Sequence, residues 1–264
     1  MTSLDDLLAD TRKDLAAIFT DHDGVLVAFS GGKDSLALLH LVEPWRDQVT
    51  VLWVNTGAHV PHVEAFIRER LVGWRVDERR SDQASHWRSH GLPSVILPTP
   101  RTIKSEPKVK VQSWHFCCHT LRFQPMLDAL SEGHATIMLA GQRRQDDADP
   151  INRLNEYGNG SIVNPLWDWS DDDVLMFIEN EEIPLPWHYA EITDSLDCWN
   201  CTGHIDSKKV MFLKNYYPDL ANLVISGRRR IAVAVREALE FEEAVTRAGS
   251  SQVSCPLWID PSCI

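Results

Sequence analysis

Six consecutive residues, Ser30-Gly31-Gly32-Lys33-Asp34-Ser35, are of the types that bind phosphate. Glycines let a backbone turn tightly and approach an anion with no Cβ in the way. Lys33 can neutralise phosphate charge, Asp34 can hold Mg²⁺ or its water shell, and Ser30 and Ser35 add hydroxyl donors. The spacing is not the Walker pattern, which needs four residues between its glycines. Cysteines form the second constellation. Cys117 and Cys118 are adjacent, Cys198 and Cys201 make a C-x-x-C, and Cys255 and Cys263 lie near the end. Grouped thiols of this kind suggest metal or redox chemistry rather than a disulfide framework.

The elements around these residues should position them. Residues 25–29 are short, apolar and bounded by turn signals, as in a buried strand, and residues 35–42 carry a leucine-rich helical face. The hexapeptide therefore lies between strand and helix, where the first free N–H groups and the helix dipole would meet an anion. A second buried strand is expected over 49–54 and a helix over 61–72, with Pro61 in its first turn. Val76 and residues 95–97 mark weaker strands, 117–130 a helix and 135–140 another buried strand. Such alternation predicts an α/β fold, a parallel sheet with helices on both faces. Residues 99–112, with two prolines and four cations, predict a mobile surface loop. Ser170 followed by three aspartates predicts a helix start, with Ile183-Pro184 ending the helix near 182. Further helices are expected over 207–217 and 229–247, so 1–23 form an N-terminal helix, 24–205 the nucleotide-binding domain and 206–264 a helical C-terminal extension.

The chain has 264 residues, 44% hydrophobic and 24% charged, which excludes collagen, coiled coil and global disorder. Its net charge of −12 opposes non-specific nucleic-acid binding. A nucleic-acid acceptor would need a local basic patch, and Arg228-Arg229-Arg230 is the densest basic run. No apolar run approaches the roughly 20 residues that cross a bilayer. The acidic, amphipathic N-terminus has neither the basic n-region nor the apolar h-region of a signal peptide, so a cytoplasmic protein is expected.

The hexapeptide resembles the signature of the PP-loop, or adenine nucleotide α-hydrolase-like, superfamily of ATP pyrophosphatases. The order of the other segments is similar to its phosphoadenylyl-sulfate (PAPS) reductase branch over about 24–205. Asn55-Thr56-Gly57 resembles that family's Asp-Thr-Gly, and Gly141-Gln142-Arg143-Arg144 its Gly-x-Arg-Arg. The run from Asn164-Pro165-Leu166 to Ile183-Pro184 resembles the stretch leading to its C-x-x-C. The resemblance implies a Rossmann-like fold in which adenine lies against the backbone around Ala28 and Val54. Gly57 and Gly141 belong to the adjoining turns, and Arg143 and Arg144 would face phosphate or sulfate, as bidentate guanidinium groups suit oxyanions. Two departures stand out. Asn55 replaces the aspartate, and Asp146, Asp147 and Asp149 occupy a stretch where reductases tend to carry Ser and a further Arg.

Cys117, Cys118, Cys198 and Cys201 match the iron–sulfur members of the family, which implies one [4Fe–4S] cluster on four thiolates. Zinc and unligated thiols are the rivals; adjacent cysteines strain a site built on one tetrahedral ion. His115, His119 and His204 flank the thiols and could tune them. Four protein ligands would leave no iron open for substrate. Sulfonucleotide reductases use a tail cysteine in a Glu-Cys-Gly-Leu-His setting, which the surroundings of Cys255 and Cys263 lack.

Three functions follow. The first is an enzyme that binds Mg–ATP, adenylates a substrate and releases pyrophosphate, preparing it for a sulfur donor as in thiolation. The second is a reductase of adenylyl sulfate or its 3′-phosphorylated form, supplied by a thioredoxin-like reductant through Cys255 or Cys263. The third is a non-catalytic nucleotide-binding subunit. A homodimer is compatible with each.

Overall fold

A computed structural model describes residues 3–97, 109–132, 135–146, 154–157 and 160–249. Ser3 opens helix α1 (Leu4–Asp21) through a capping box with Asp6. Strand β1 (Val25–Ala28) follows, then helix α2 (Lys33–Leu41), strand β2 (Val49–Asn55), helix α3 (Pro61–Arg70) and strand β3 (Arg75–Arg80). Helix α4 (Gln83–His90) leads to two short strands, β4 (Leu92–Ser94) and β5 (Val111–Ser113), which pair in parallel apart from the main sheet. Helix α5 (Trp114–Cys118) runs through a π-turn at His119–Phe123 into helix α6 (Gln124–Ser131). Strands β6 (Ile137–Leu139), β7 (Leu154–Tyr157) and β8 (Gly160–Val163) precede helices α7 (Asp171–Asn180), α8 (Ser207–Tyr216) and α9 (Pro218–Gly249).

The main sheet runs β3-β2-β1-β6-β8-β7. All neighbours are parallel except β7, which runs antiparallel to β8. The alternation of β-strand side chains sorts the core into two layers. Val25, Val27, Val51, Trp53 and Leu139 face α1, α2, α3 and α7, where Leu15, Leu38, Ile67 and Phe177 complete one cluster. Leu26, Leu52, Met138 and Ile162 face the other way, onto Ala129 and Leu130 of α6. The predicted α/β architecture with both faces covered is therefore the observed one. Chain order reverses at β1, with β2 on one side and β6 on the other, and at such a switch point the loops leave a crevice outside the strand ends.

Several local expectations change. Val76 belongs to a six-residue strand whose other members are charged: Arg75, Asp77, Glu78, Arg79 and Arg80. Residues 95–97 are not a strand; Val95, Ile96 and Leu97 are exposed just after β4. Residues 229–247 form only part of α9, which begins at Pro218. Its interior Gly227 is tolerated because of a close approach: a Cβ there would lie 2.9 Å from Thr202. The loop predicted over 99–112 lies outside the described residues except for its last four, two of which enter β5. No helix among the described residues is long and apolar enough to cross a membrane.

Candidate nucleotide and cysteine sites

The hexapeptide leaves β1 at the crevice. Gly31 has φ +78°, and a Cβ there would stand 2.5 Å from Ile67 Cγ1, so the turn needs glycine twice over. Gly32 caps α2 in an extended conformation. Inside the turn the Gly32 N–H donates to Ser30 Oγ (3.3 Å), the Ser30 N–H to Ser35 Oγ (3.3 Å), and Ser35 Oγ donates to the Gly32 carbonyl (2.9 Å). The serines thus shape the loop itself. Ala28 ends β1 just before the loop, Val54 is the last but one residue of the neighbouring parallel strand β2, and Gly57, at φ +70°, turns the chain after β2.

Lys33 is buried, and its Nζ lies 2.9 Å from Asp34 and 2.8 Å from Asp171, at the first turn of α7. Arg143, from the loop after β6, is 3% exposed and joins the same group. Its guanidinium contacts Asp34 (3.0 Å), Asp146 (2.7 Å) and Asp171 (3.0 Å). Two cations therefore meet three carboxylates. Burial raises the Asp34 pKa, and Lys33 and Arg143 offset that only in part. At Asp171 the hydrogen bond from Lys33 outweighs burial and lowers the pKa. Burial opposes the charge of Arg143, but the three carboxylates prevail and raise its pKa. Gly141 lets the β6 loop reach this spot: a Cβ would lie 3.0 Å from the backbone of Asp34.

The two neighbouring arginines part company. Arg144 is exposed, pairs with Asp168 and packs over the Trp167 ring, while its N–H donates to the Trp167 carbonyl (2.9 Å). It therefore lies outside the Lys33–Arg143 group, and of the two arginines expected to face phosphate the structure brings only Arg143 to Lys33 and Asp34. Asn55 holds the fold: its Nδ2 donates to Glu78 (2.8 Å) and its Oδ1 accepts from the Gly57 N–H (2.9 Å). Asp171 and Tyr189 are the residues that sequence reasoning missed. The Asp171 position follows from the helix start at Ser170, but nothing local ties it to a lysine 138 positions earlier (171 − 33). Tyr189, in a 3-10 turn at Trp187–Ala190, accepts the Lys33 N–H on its hydroxyl (3.0 Å).

The four inner cysteines gather beside this crevice. Cys117 lies within electrostatic reach of Cys118 and Cys201, Cys118 of Cys201, and Cys198 of Cys201. Trp87 Nε1 donates to Cys117 Sγ (3.3 Å), and the His204 N–H to Cys201 Sγ (3.4 Å). Cys198 has φ +48°, and its Sγ lies 3.5 Å from Thr56 Oγ1 in the turn after β2. The Trp199 N–H bonds the Ala58 carbonyl (3.0 Å), so the C-x-x-C is docked on that turn. Burial pushes the Cys117 thiol to about 11 despite the Trp87 N–H. It pushes Cys198 to about 12 despite Arg122, which pairs with Asp197 at 3.3 Å. His115 and His204 both pack on Trp114. Arg228 of the basic run donates to the Thr202 carbonyl (2.6 Å).

Among the described residues no three His, Cys, Asp or Glu side chains converge as they would on one ion. A tetrahedral zinc at 2.3 Å from each sulfur would hold its thiolates about 3.8 Å apart. A cluster gives each thiolate its own iron, so its ligands stand further apart, and an all-thiol donor set suits it. Mg²⁺ takes one or two carboxylates and completes its shell with phosphate and water, which the carboxylates around Lys33 can supply in part. Cys255, Cys263, Asp147 and Asp149 lie outside the described residues.

The chain matches the phosphoadenosine phosphosulfate reductase domain over residues 24–204. It is 26% identical to the adenosine 5'-phosphosulfate reductase of Burkholderia cepacia over 203 residues, covering 72% of this chain and 74% of that protein. It is 25% identical to the phosphoadenosine 5'-phosphosulfate reductase of Alkalilimnicola ehrlichii, covering 64% and 68%. Among solved structures, the phosphoadenylyl-sulfate reductase of Candida auris in a phosphate complex aligns with a TM-score of 0.48 at 16% identity, over 69% of this chain and 87% of that one.

Proposed function

Since the chain belongs to the phosphoadenosine phosphosulfate reductase domain family, we propose that it is an enzyme that binds an adenine nucleotide at residues 30–35. In our first reading the nucleotide is Mg–ATP, and the enzyme adenylates a substrate, releasing pyrophosphate and leaving the adenylate open to a sulfur donor. One observation carries this reading. Lys33 and Arg143 are enclosed by Asp34, Asp146 and Asp171. Three carboxylates would repel a bare anion but suit a polyphosphate that brings Mg²⁺ with it. Lys33, Arg143 and the N–H groups at the start of α2 would then stabilise charge building on the leaving pyrophosphate, with positioning as the other contribution.

The names of the curated relatives favour the second reading more directly. There a thiolate of Cys255 or Cys263 attacks the sulfur of adenylyl sulfate, the nucleotide monophosphate leaves, and an external dithiol reduces the S-sulfocysteine and frees sulfite. In either reading Cys117, Cys118, Cys198 and Cys201 would hold a [4Fe–4S] cluster. With four protein ligands, such a cluster would supply electrostatics and structure beside the nucleotide rather than an open coordination site.

One assay separates the two. Under anaerobic conditions, the adenylating reading expects pyrophosphate from ATP that disappears in Asp34→Asn and survives in Cys255→Ser and Cys263→Ser. Sulfite from a sulfonucleotide and dithiothreitol, lost with either tail substitution, would put the reductase in its place.

A further inference from the structure

The loop at residues 30–35 carries a donor that its own sequence does not contain. The Lys33 N–H is the first helical donor of α2, one of those a bound anion would take. It is engaged by the hydroxyl oxygen of Tyr189 at 3.0 Å, across 156 positions of chain. An oxygen that accepts from this N–H still has its own hydrogen to give. Among the described residues that hydrogen meets no acceptor. The phenol also stands close to the turn, since a Cβ on Gly32 would lie 3.6 Å from it.

The turn that presents Tyr189 is anchored from behind. His188 is 1% exposed, and its Nδ1 lies 3.0 Å from His62 Nε2, while His62 Nδ1 lies 2.8 Å from the Tyr217 hydroxyl. The ring of Tyr189 packs on that of His188, with centroids 4.6 Å apart. The hydroxyl is thus held by a buried chain of contacts and is not free to swing into solvent.

Resting on the nucleotide reading above, we propose that Tyr189 positions phosphate: the Lys33 N–H fixes its oxygen, and its O–H donates to a β- or γ-phosphate oxygen of the bound nucleotide. Burial, with Asp197, Asp34 and Asp194 adding to it, keeps the phenol protonated. A neutral donor is what this place calls for. Lys33 and Arg143 are already paired with carboxylates, and Tyr189 adds a hydrogen bond without another charge to desolvate. Because AMP lacks the β- and γ-oxygens, the contact favours ATP over AMP.

Calorimetry in Mg²⁺ with wild-type protein and Tyr189→Phe, titrated with ATP, pyrophosphate and AMP, tests this. The variant keeps the ring and removes only the hydroxyl. We expect its affinity for ATP and pyrophosphate to fall roughly tenfold or more, the effect of one hydrogen bond to a charged group, with AMP unchanged within about twofold. Equal ATP affinity in the two proteins would overturn the assignment. So would an equal loss for AMP and ATP, which marks a structural role, or tighter ATP binding, which marks a hydroxyl that blocks the N–H. Wild-type protein that binds neither ATP nor AMP would overturn the nucleotide reading, and the role of Tyr189 with it.

Discussion

Acid should loosen the turn that presents Tyr189, and it should do so through His188. This imidazole is 1% exposed, with His62 beside it. Burial, then the neighbouring His62, lowers its pKa from 6.5 to about 4, and only the backbone at Asp194 favours the charged form. The folded state thus keeps His188 neutral where the unfolded chain already binds a proton. Stability is full above about pH 6.5, is lost as pH falls from there to about 4, and changes no further below that. At 1.36 kcal/mol per pH unit, a fall from 6.5 to about 4 amounts to about 3 kcal/mol. His62 is shifted in the same direction by burial and adds to the loss. The measurement is urea unfolding of wild type and His188→Gln at steps from pH 7.5 to 4.5. Titrations common to both proteins cancel in the difference. The variant should be less stable at pH 7.5 because it loses buried contacts, and the gap should narrow by about 2–3 kcal/mol at pH 4.5. A gap that stays constant within about 0.5 kcal/mol would refute the reasoning and leave His188 as packing alone.

Two further outcomes are expected. Gly31→Ala should cost about 1–3 kcal/mol, because the residue must hold φ +78° and push Ile67 aside, and calorimetric melting with ATP titration should show stability and nucleotide affinity falling together. Anaerobically reconstituted protein should carry about four irons per chain, and Cys118→Ser or Cys198→Ser should lose them; one zinc per chain by metal analysis would overturn the cluster.

What the sequence made legible is what it encodes locally. The hexapeptide is contiguous, its flanking strand and helix are short-range patterns, and Ser170 announces α7 through a capping box that the structure contains. β3 was visible only at Val76, since a strand whose other five residues are charged has no apolar period and owes its conformation to pairing with β2. The sequence predicts this helix only over 229–247, whereas α9 begins at Pro218 and runs through Gly227, whose close approach to Thr202 is a long-range contact. The members of the site that were missed are long-range. Tyr189 reaches Lys33, and Thr56 reaches Cys198, only because the sheet brings their loops to one edge. Arg143 and Arg144 look equivalent in sequence. A backbone hydrogen bond to Trp167 helps turn the second away, and no side-chain pattern signals it.

The charged strand β3 bears on how the protein survives at high concentration. It closes one side of the main sheet, and its outer backbone groups would be a template for a neighbouring chain. Arg79 lies against Asp77 and Glu132, and Arg80 and Arg68 against Glu78, so an incoming strand would have to strip water from these ion pairs. Salt weakens the attraction within each pair but does not remove the dehydration penalty. Edge-to-edge polymerisation should therefore stay suppressed in brine as well as in dilute buffer, and fibrils, if forced, should start elsewhere.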